Sequence, residues 1–526
     1  MDFKFNKPEG RKSFSDNAIS TIRMNVVKHP DKTAVRFGDQ SLKWIELWER
    51  SNRLANSLKA LNLKKDDRVM IFLPNCMEYP EVTLGINKAD LVSCGANIRL
   101  TGPEIAYQLS DSGARAVILK TREQLDIIME IRGQTPALEH IIMIEEGADG
   151  GGVDYSELLS SGSDKEPVSE HTPDDIHVLM YTSGTTGKPK AAARTYKSDY
   201  HMANAVCHEL GLNSDDTYLA VAPLYAAASV GYTFACLMSG GTLVILPAFE
   251  PDKVLKQIET YRPTWFFMVP IMYEWVLGMP DNGHDISSVR HVISCGAPLH
   301  NATARKMIDG FPGAEVSNWL GASEFGFISR YSYKDGLGKE GCVGKPLFDL
   351  ELAVFDEEGR GVPKGEPGVL YGRGFSMWEG YLNKPEATAE SFLDHEWGTV
   401  GDIAKLGDDG NFYIVDRKKD MIITGGINVY PVEVENVLMD HEAVADVVVI
   451  GVPDEKWGEA VKALVVPAQG AQPGEAEMIG HCRGSLAGFK VPKSVEFIDA
   501  VPRSLIGKAL KNKLREKYWQ GRDTKI

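Results

Sequence analysis

Short apolar runs alternate with longer amphipathic stretches along much of the chain, and few folds can accommodate this alternation. The apolar runs that predict buried strands are RVMIFLP (68–74), AVILK (116–120), HIIMIEE (140–146), TLVILP (242–247), WFFMVP (265–270) and HVISCG (291–296). Between them lie helical patterns such as residues 44–61, where apolar side chains recur at three- and four-residue spacing. Repeated strand–helix–strand order predicts an α/β fold with mostly parallel, helix-covered sheets. Such sheets bind ligands at the carboxyl ends of their strands.

The pattern changes near residue 340. Residues 351–374 are rich in glycine and short β-prone pieces, which predicts a small β element. Residues 416–420 (DRKKD) form a charged break with no apolar face, and new strand and helix patterns follow. Because a chain of 526 residues is too long for one ordinary core, we predict two domains. The larger multi-layered N-terminal domain spans 1–417, and a mobile, smaller α/β domain spans 418–526.

Charge and composition exclude several classes of partner. The formal net charge of −16 argues against nucleic-acid binding, which depends on clustered Lys and Arg. No apolar run approaches the roughly 20 residues of a membrane span, so none is expected. The first residues, MDFKFNKPEGRKSFSD, lack the apolar core of a secretory signal. Seven scattered cysteines without C-x-x-C pairs fit reduced thiols, which predicts a cytoplasmic location.

At residues 179–192 (LMYTSGTTGKPKAA) a strand pattern leads into a loop rich in glycine, hydroxyl groups and lysine. Glycines let the backbone approach an anion closely and turn N–H groups toward it, while Lys188 and Lys190 add positive charge. The loop is not a Walker P-loop, because only two residues separate its glycines and a proline follows the first lysine. The segment therefore predicts polyphosphate binding.

YTSGTTGKPK resembles the phosphate-binding signature of the adenylate-forming superfamily, which includes acyl- and aryl-CoA synthetases, luciferase and the adenylation domains of peptide synthetases. Six further segments resemble the family's other motifs in the expected order: CGAPL (295–299), NWLGASEFG (318–326), MWEGYLNKPEAT (377–388), VGD (400–402), DRKKDMIITGGINVYP (416–431) and PRSLIGKALK (502–511). Each piece alone is weak evidence, but their order makes the resemblance specific, and it covers nearly the whole chain.

The resemblance implies which residues bind ATP and form the adenylate. The residues implied to hold the β- and γ-phosphates are Thr182, Ser183, Gly184, Thr185, Thr186, Gly187, Lys188 and Lys190. Glu324 matches the family's Mg²⁺ carboxylate, and a hard oxygen ligand suits that ion. Ser323 stands where the family usually has Thr and would donate to the α-phosphate. Lys508 matches the mobile lysine that reaches the α-phosphate and the substrate carboxylate during adenylation.

The nucleoside of ATP is implied to lie among residues of several motifs. On the adenine and ribose side these residues are Gly296, Ala297, Pro298, Asn318, Trp319, Leu320, Asp402 and Arg417. Asp402 suits the ribose because its two oxygens can accept from two hydroxyls. Leu320 replaces a tyrosine that commonly stacks on adenine, so we expect Trp319 and Leu320 to cover the base apolarly.

The same resemblance implies a hinge and the positions of the other substrates. Lys419 aligns with the residue about which the small domain turns after adenylation. Gly425 and Gly426 would then allow the thiol arm of coenzyme A to approach closely. The residues expected to line the acyl pocket are Tyr225, Ala226, Ala227 and Gly321. Small apolar side chains there favour an apolar acid.

These observations predict a carboxylic acid:CoA ligase that uses ATP, Mg²⁺ and coenzyme A. Its substrate would be an apolar aliphatic (medium- or long-chain) or aryl acid, as in fatty acid metabolism. Two alternatives stay open: an enzyme that loads a carrier protein, and a catalytically silent protein that binds nucleotide or acyl-CoA. A luciferase-like monooxygenase would need a kind of substrate that nothing in the sequence indicates. A homodimer is compatible with this interpretation.

Overall fold

The computed structural model describes residues 17–145, 152–182, 188–279, 283–417, 419–425, 427–503 and 509–520. In chain order the strands are β1 (Thr33–Phe37), β2 (Gln40–Lys43), β3 (Arg68–Phe72), β4 (Val92–Gly95), β5 (Ala116–Leu119), β6 (His140–Met143), β7 (Val153–Asp154), β8 (Ile176–Thr182), β9 (Lys190–Thr195), β10 (Thr217–Ala220), β11 (Thr242–Ile245), β12 (Trp265–Met268), β13 (His291–Cys295), β14 (Glu315–Ala322), β15 (Gly326–Ser332), β16 (Cys342–Pro346), β17 (Leu350–Phe355), β18 (Gly368–Gly374), β19 (Gly380–Tyr381), β20 (Phe392–Leu393), β21 (Trp397–Gly398), β22 (Asp402–Leu406), β23 (Phe412–Arg417), β24 (Ile422–Thr424), β25 (Ile427–Val429), β26 (Val444–Asp454), β27 (Gly458–Pro467) and β28 (Ser494–Phe497).

The helices are α1 (Ala18–Lys28), α2 (Trp44–Ala60), α3 (Tyr79–Lys88), α4 (Gly102–Ser112), α5 (Arg122–Ile131), α6 (Tyr155–Ser161), α7 (Tyr196–Leu210), α8 (Ala227–Ser239), α9 (Pro251–Tyr261), α10 (Pro270–Leu277), α11 (Asn301–Gly310), α12 (Pro385–Ala389), α13 (Pro431–Met439), α14 (Glu475–Ser485) and α15 (Lys511–Trp519). Short 3₁₀ turns lie at Arg132–Gln134 and Tyr333–Asp335.

The first sheet contains eight strands in the order β19-β9-β8-β4-β3-β5-β6-β7. β3 pairs in parallel with β4 and β5, and β4 pairs in parallel with β8. The chain then reverses direction, because β8 and β9 form an antiparallel pair with Thr182 opposite Lys190. The predicted polyphosphate loop therefore joins two strands of one hairpin at the carboxyl end of β8.

The second sheet contains fifteen strands, and its main path is β2-β1-β11-β10-β12-β13-β14-β15-β16-β23-β22-β18-β21-β20. The run from β11 through β10, β12 and β13 to β14 is parallel. From β14 onward the pairs are antiparallel. The predicted small β element is thus an antiparallel extension of the second sheet, joined to it through β15 and β16.

Helix α2 shows how the sequence pattern becomes packed structure. Its first turn is closed by Glu46, whose carboxylate accepts the backbone N–H of Lys43 at 2.7 Å. Trp44, Leu47 and Leu54 recur at helical spacing and are almost wholly buried in the main core, where α2 packs chiefly against α3. Burying each such side chain stabilises the fold by about 1.5–3 kcal/mol.

The C-terminal part has a sheet and a core of its own. Its five strands run in the order β25-β24-β27-β26, with β28 parallel to β27. Buried residues such as Ile422, Val434 and Met478 form its core between this sheet and helices α13 and α14. The predicted boundary between residues 417 and 418 falls between β23 and β24, and it stays a prediction.

The mixed α/β architecture with a large N-terminal and a smaller C-terminal domain confirms the predicted fold class. All six apolar runs contain strands, namely β3, β5, β6, β11, β12 and β13. The pattern at residues 44–61 likewise corresponds to α2.

Candidate active site

The two flanks of the predicted phosphate loop are held by α4 and by each other. Tyr107 of α4 donates its hydroxyl to the carbonyl of Pro189 at 2.9 Å. The same ring lies 5.5 Å from the ammonium of Lys188, which is exposed. On the opposite flank, the hydroxyl of Thr182 donates to the carbonyl of Lys190 at 3.4 Å. Ser183, Gly184, Thr185, Thr186 and Gly187 lie outside the described residues.

Tyr381 joins the phosphate loop to the predicted metal carboxylate. Its hydroxyl donates to Oε1 of Glu324 at 2.7 Å. The ammonium of Lys190 lies 5.0 Å from the centroid of the same ring, within the range of a cation–π contact. Burial, together with the negative charge of Glu324, raises the pKa of Tyr381, so the phenol stays protonated and donates.

Glu324 lies with Ser323 at the turn between β14 and β15, and only 6 % of it is exposed. Its Oε2 accepts no hydrogen bond from any residue that the structure describes. A carboxylate oxygen left open in this way fits a hard cation such as Mg²⁺, which takes one or two protein carboxylates together with phosphate oxygens.

Asp402 and Arg417, the predicted ribose residues, are neighbours across an antiparallel strand pair. β22 and β23 place them directly opposite each other, and Nε of Arg417 lies 3.0 Å from Oδ1 of Asp402. Asp402, followed by more distant charges that include Glu324, raises the pKa of Arg417 above its ordinary value. The structure thus brings a firmly charged guanidinium near both carboxylates.

The adenine-side residues follow two neighbouring parallel strands. Gly296 comes directly after β13 and has a φ of +89°, a conformation that favours glycine. Ala297 and Pro298 follow it. On β14, the side-chain amide of Asn318 donates to the carbonyl of Cys342 at 3.1 Å, and Leu320 is half-buried.

Trp319 is only 2 % exposed and belongs to a packed aromatic cluster. Its indole N–H donates to the hydroxyl of Ser317 at 2.9 Å. Its ring meets those of Tyr232 and Phe327 edge to face. Successive side chains of a strand point to opposite faces, so Trp319 and Leu320 lie on different faces of β14. The structure gives Trp319 a packing role, and its predicted contact with adenine stays a prediction.

The predicted acyl-pocket residues lie at the start of α8 and at the end of β14. Tyr225 is half-buried, and burial raises its pKa to about 12. Ala226 caps α8, which begins at Ala227. At Gly321, a Cβ would lie 2.6 Å from the carbonyl oxygen of Gly326, so this position accepts no side chain without a backbone shift.

On the small domain, Lys419 is an exposed turn residue, and its role as a hinge stays a prediction. Gly425 has a φ of +58°, and its backbone N–H donates to the carbonyl of Trp457 at 2.8 Å. Gly426 and Lys508 lie outside the described residues.

Sequence analysis missed two residues that contact Glu324. Tyr381 lies within the quoted segment at residues 377–388, but nothing local marks its hydroxyl as a partner of a carboxylate. Arg194 is wholly buried and donates to the carbonyl of Glu324 at 3.1 Å. A fully buried arginine is rare enough to be a signal, yet burial at this position is not evident from the sequence alone.

The chain resembles known proteins over most of its length. Residues 22–382 match the AMP-binding enzyme family, and residues 433–508 match the AMP-binding enzyme C-terminal domain. A feruloyl-CoA synthase from Amycolatopsis sp is 37% identical over 495 residues, which cover 93% of this chain and 96% of that protein. The long-chain-fatty-acid–CoA ligase FadD13 from Mycobacterium tuberculosis is 34% identical over 485 residues, covering 91% and 94%.

A solved structure, ATP-bound MatB from Rhodopseudomonas palustris, superposes with a TM-score of 0.89 at 29% identity and covers 96% of this chain and 99% of that one. The chain belongs to the AMP-binding enzyme family, the adenylate-forming enzymes. Within it, the protein is an AMP-forming acid–thiol ligase of the acyl-CoA synthetase class, with ATP and coenzyme A as substrates. In the described part of the chain, no helix combines the length and the apolar character needed to cross a membrane.

Proposed function

We propose that the protein activates an apolar aryl or aliphatic carboxylic acid as an acyl-adenylate, with Mg²⁺, and then forms the coenzyme A thioester. The observation that carries this proposal is the convergence of Lys190 and Glu324 on Tyr381, with the Asp402–Arg417 ion pair near them. A site of this kind offers positive charge, an open carboxylate oxygen and an acceptor for hydroxyl groups, which are the groups that ATP requires.

In the first half-reaction, a carboxylate oxygen of the acid attacks the α-phosphorus of ATP, and pyrophosphate leaves. Both reactants are anions, so the site must bring them together and offset their repulsion. Lys188 and Lys190 would neutralise the β- and γ-phosphates, and Ser323 would donate to the α-phosphate. Glu324 would hold Mg²⁺, which would supply further positive charge to offset the negative charge of the phosphates.

In the second half-reaction, the thiol sulfur bonds to the acyl carbon while AMP leaves, and the thiol proton passes to solvent. Lys419 would serve as the hinge between the two steps. The surface that contains Gly425 would then replace Lys508 at the acyl carbon. Gly425 would offer the thiol arm a backbone without a side chain, and its φ of +58° favours glycine.

The acyl pocket supports an apolar acid. Ala226 and Ala227 at the start of α8 are small and uncharged. One relative is a feruloyl-CoA synthase and another is a long-chain-fatty-acid–CoA ligase, so aryl and long aliphatic acids are the first to test. The domain limits 1–417 and 418–526 are part of this proposal.

Two further properties belong to the proposal. A cytoplasmic location is supported by the cysteines, all seven of which are free thiols. Homodimerisation is an assembly to test by light scattering coupled to size-exclusion chromatography. Transfer to a carrier-protein thiol is the competing acceptor, because the reacting arm has the same chemistry.

The decisive experiment is a panel of short, medium, long, aryl and dicarboxylic acids with ATP, Mg²⁺ and coenzyme A. Pyrophosphate release and loss of free thiol are followed together. We expect both signals to rise in step for an aryl or long-chain acid. Pyrophosphate release without thiol consumption would favour a carrier-protein acceptor. Nucleotide binding without either signal would favour the catalytically silent alternative.

A further inference from the structure

Glu324 is held from two sides by residues of other elements. On its side chain, Tyr381 of β19 donates to Oε1 at 2.7 Å. On its backbone, Arg194 of β9 donates to the carbonyl oxygen at 3.1 Å. Both contacts come from the neighbourhood of the phosphate hairpin, because β19 pairs with β9.

The Arg194 side chain that contacts Glu324 is also held in place by other residues. Its side chain is wholly buried, and its guanidinium forms an ion pair with Asp199 of α7. Asp199 is also held by Nε2 of His177 at 2.8 Å. The NH1 group of Arg194 donates in addition to the carbonyl of Ser376 at 3.0 Å. The planar fork of an arginine can therefore tie two backbone segments to one strand.

Ser376 completes the connection between those two segments. Its hydroxyl donates to the carbonyl of Phe325 at 3.0 Å, next to Glu324 in the chain. The turn that carries Glu324 and the segment that leads to Tyr381 are thus tied to each other and to Arg194. A carboxylate held by these contacts has little freedom to rotate away from Tyr381.

We propose that Tyr381 and Arg194 are positioning residues that orient the Glu324 carboxylate toward divalent metal–ATP. The inference rests on the proposed function of this site. Tyr381 occupies Oε1 and so directs Oε2 to the ion, while Arg194 holds the backbone from which the carboxylate projects. Partners of metal-ligating groups typically change metal affinity or activity by about 10–100-fold when they are removed.

Tyr381→Phe tests the side-chain contact with minimal disturbance, because it removes one hydroxyl and keeps the ring under Lys190. The probe is Mn²⁺, with a non-hydrolysable ATP analogue, and binding is measured by electron paramagnetic resonance. We expect the dissociation constant of Mn²⁺ to rise about tenfold. The KM for metal–ATP should rise as well, whereas the KM for the carboxylic acid should stay unchanged.

Tyr413→Phe is the matched control, because the Tyr413 hydroxyl likewise donates to a carboxylate, that of Asp409 at 2.6 Å, but lies on β23 of the other sheet. We expect it to leave Mn²⁺ binding unchanged. Equal Mn²⁺ affinity in wild type and Tyr381→Phe would overturn the inference. If wild type itself binds no Mn²⁺–nucleotide, the proposed function fails together with it.

A double-mutant cycle tests whether Tyr381 affects Mn²⁺ binding through Glu324 or independently of it. If Tyr381 acts through Glu324, adding Tyr381→Phe to Glu324→Gln should change Mn²⁺ binding no further. Effects that multiply would contradict the proposal.

Arg194→Lys tests the contact with the backbone carbonyl of Glu324. Lysine keeps the positive charge opposite Asp199 but lacks the planar guanidinium that donates to the carbonyl. Its control, Arg330→Lys, makes the same change where a guanidinium contacts Glu209 and Glu315. A loss of Mn²⁺ affinity in Arg194→Lys alone supports positioning. Equal losses of Mn²⁺ affinity in both variants would show that Arg194 has only a structural role. The Tyr381→Phe variant would still test the side-chain contact with Glu324.

Discussion

The ion pair between Asp402 and Arg417 occupies Oδ1 of the aspartate. The other oxygen, Oδ2, can accept further hydrogen bonds, such as those of ribose hydroxyls. Arg417 in turn pairs with this carboxylate in a place where only 6 % of Asp402 is exposed. At the scale of single residues, the charges of this site therefore depend on a partner that is already in place before ATP binds.

Asp402→Asn should weaken ATP binding selectively. The amide can accept fewer hydroxyl groups and removes the ion pair with Arg417, at a cost of about 1.5–3 kcal/mol. We expect the KM for ATP to rise roughly 10–100-fold, with little change in the KM for the acid. Asp356→Asn is the control, because that half-buried carboxylate pairs with the exposed Arg360 and with backbone N–H groups of its own turn. A KM for ATP within twofold of wild type would argue against the ribose role.

Lys508→Ala should separate the two half-reactions. Removal of a charge donor to the transition state should slow adenylate formation by roughly 10²–10³. Thioester formation from supplied acyl-adenylate should stay largely intact, because Lys508 would have moved away by then. Pyrophosphate exchange measures the first half and thiol loss measures the second. Equal loss in both would contradict the rotating-domain assignment.

At the scale of elements, β24 and β25 form a hairpin whose turn is closed by glycine. A Cβ at Gly425 would lie 2.7 Å from the Trp457 ring, and its φ of +58° is unfavourable for other residues. The hairpin and the indole therefore fit together only because this position has no side chain.

Gly425→Ala should destabilise the small domain and slow the thioester half-reaction. The positive φ costs about 1–2 kcal/mol, and the contact with Trp457 adds to it. Gly458→Ala is the control, because Gly458 has a φ of +78° but a Cβ there would meet no atom closer than 3.9 Å. Thermal unfolding and the KM for coenzyme A measure the two effects. If Gly425→Ala matches Gly458→Ala in thermal unfolding and in the KM for coenzyme A, its effects come from backbone strain alone.

Elements with strong local patterns were predictable from the sequence, whereas contacts between distant segments were not. WFFMVP and HVISCG are continuous apolar runs of strand length, and they became β12 and β13. Arg194 lies in an ordinary strand pattern, and its partner Glu324 is 130 residues away. The packing of Trp319 depends on α8 and β15, which no local pattern places beside it.

At the scale of the whole molecule, charged residues connect the small domain to the break that precedes it. Asp416 of β23 accepts the backbone N–H of Val432 at the start of α13. Asp420 accepts from Arg515 of α15 at 3.0 Å. Burial, which outweighs the nearby Lys511, raises the pKa of Asp416 to about 6. The Asp416 carboxyl therefore changes its protonation state in the mildly acidic pH range.

Asp416 should make stability depend on pH. An aspartate in an unfolded chain has a pKa of about 3.9. Because the folded pKa is higher, the folded protein binds this proton more tightly. The contribution of Asp416 is thus fully present below about pH 4 and is lost as the pH rises through about 6. The loss amounts to at most about 3 kcal/mol.

Unfolding midpoints of wild type and Asp416→Asn measured from pH 4 to pH 7 check this prediction. We expect the stability of wild type to fall relative to that of the variant over this interval. Parallel pH profiles would show that Asp416 does not titrate there.

β19 has only two residues, yet it lies along the outer side of β9. The backbone N–H groups of Glu379 and Leu382 also donate to the carbonyls of Ala193 and Ala191 at 2.9 Å. Without this cover, β9 would present a row of unpaired backbone groups at the rim of the eight-stranded sheet, where another chain could add as a new strand. The segment that places Tyr381 against Glu324 thus also covers this edge of the sheet, which opposes aggregation by addition of a strand from another chain.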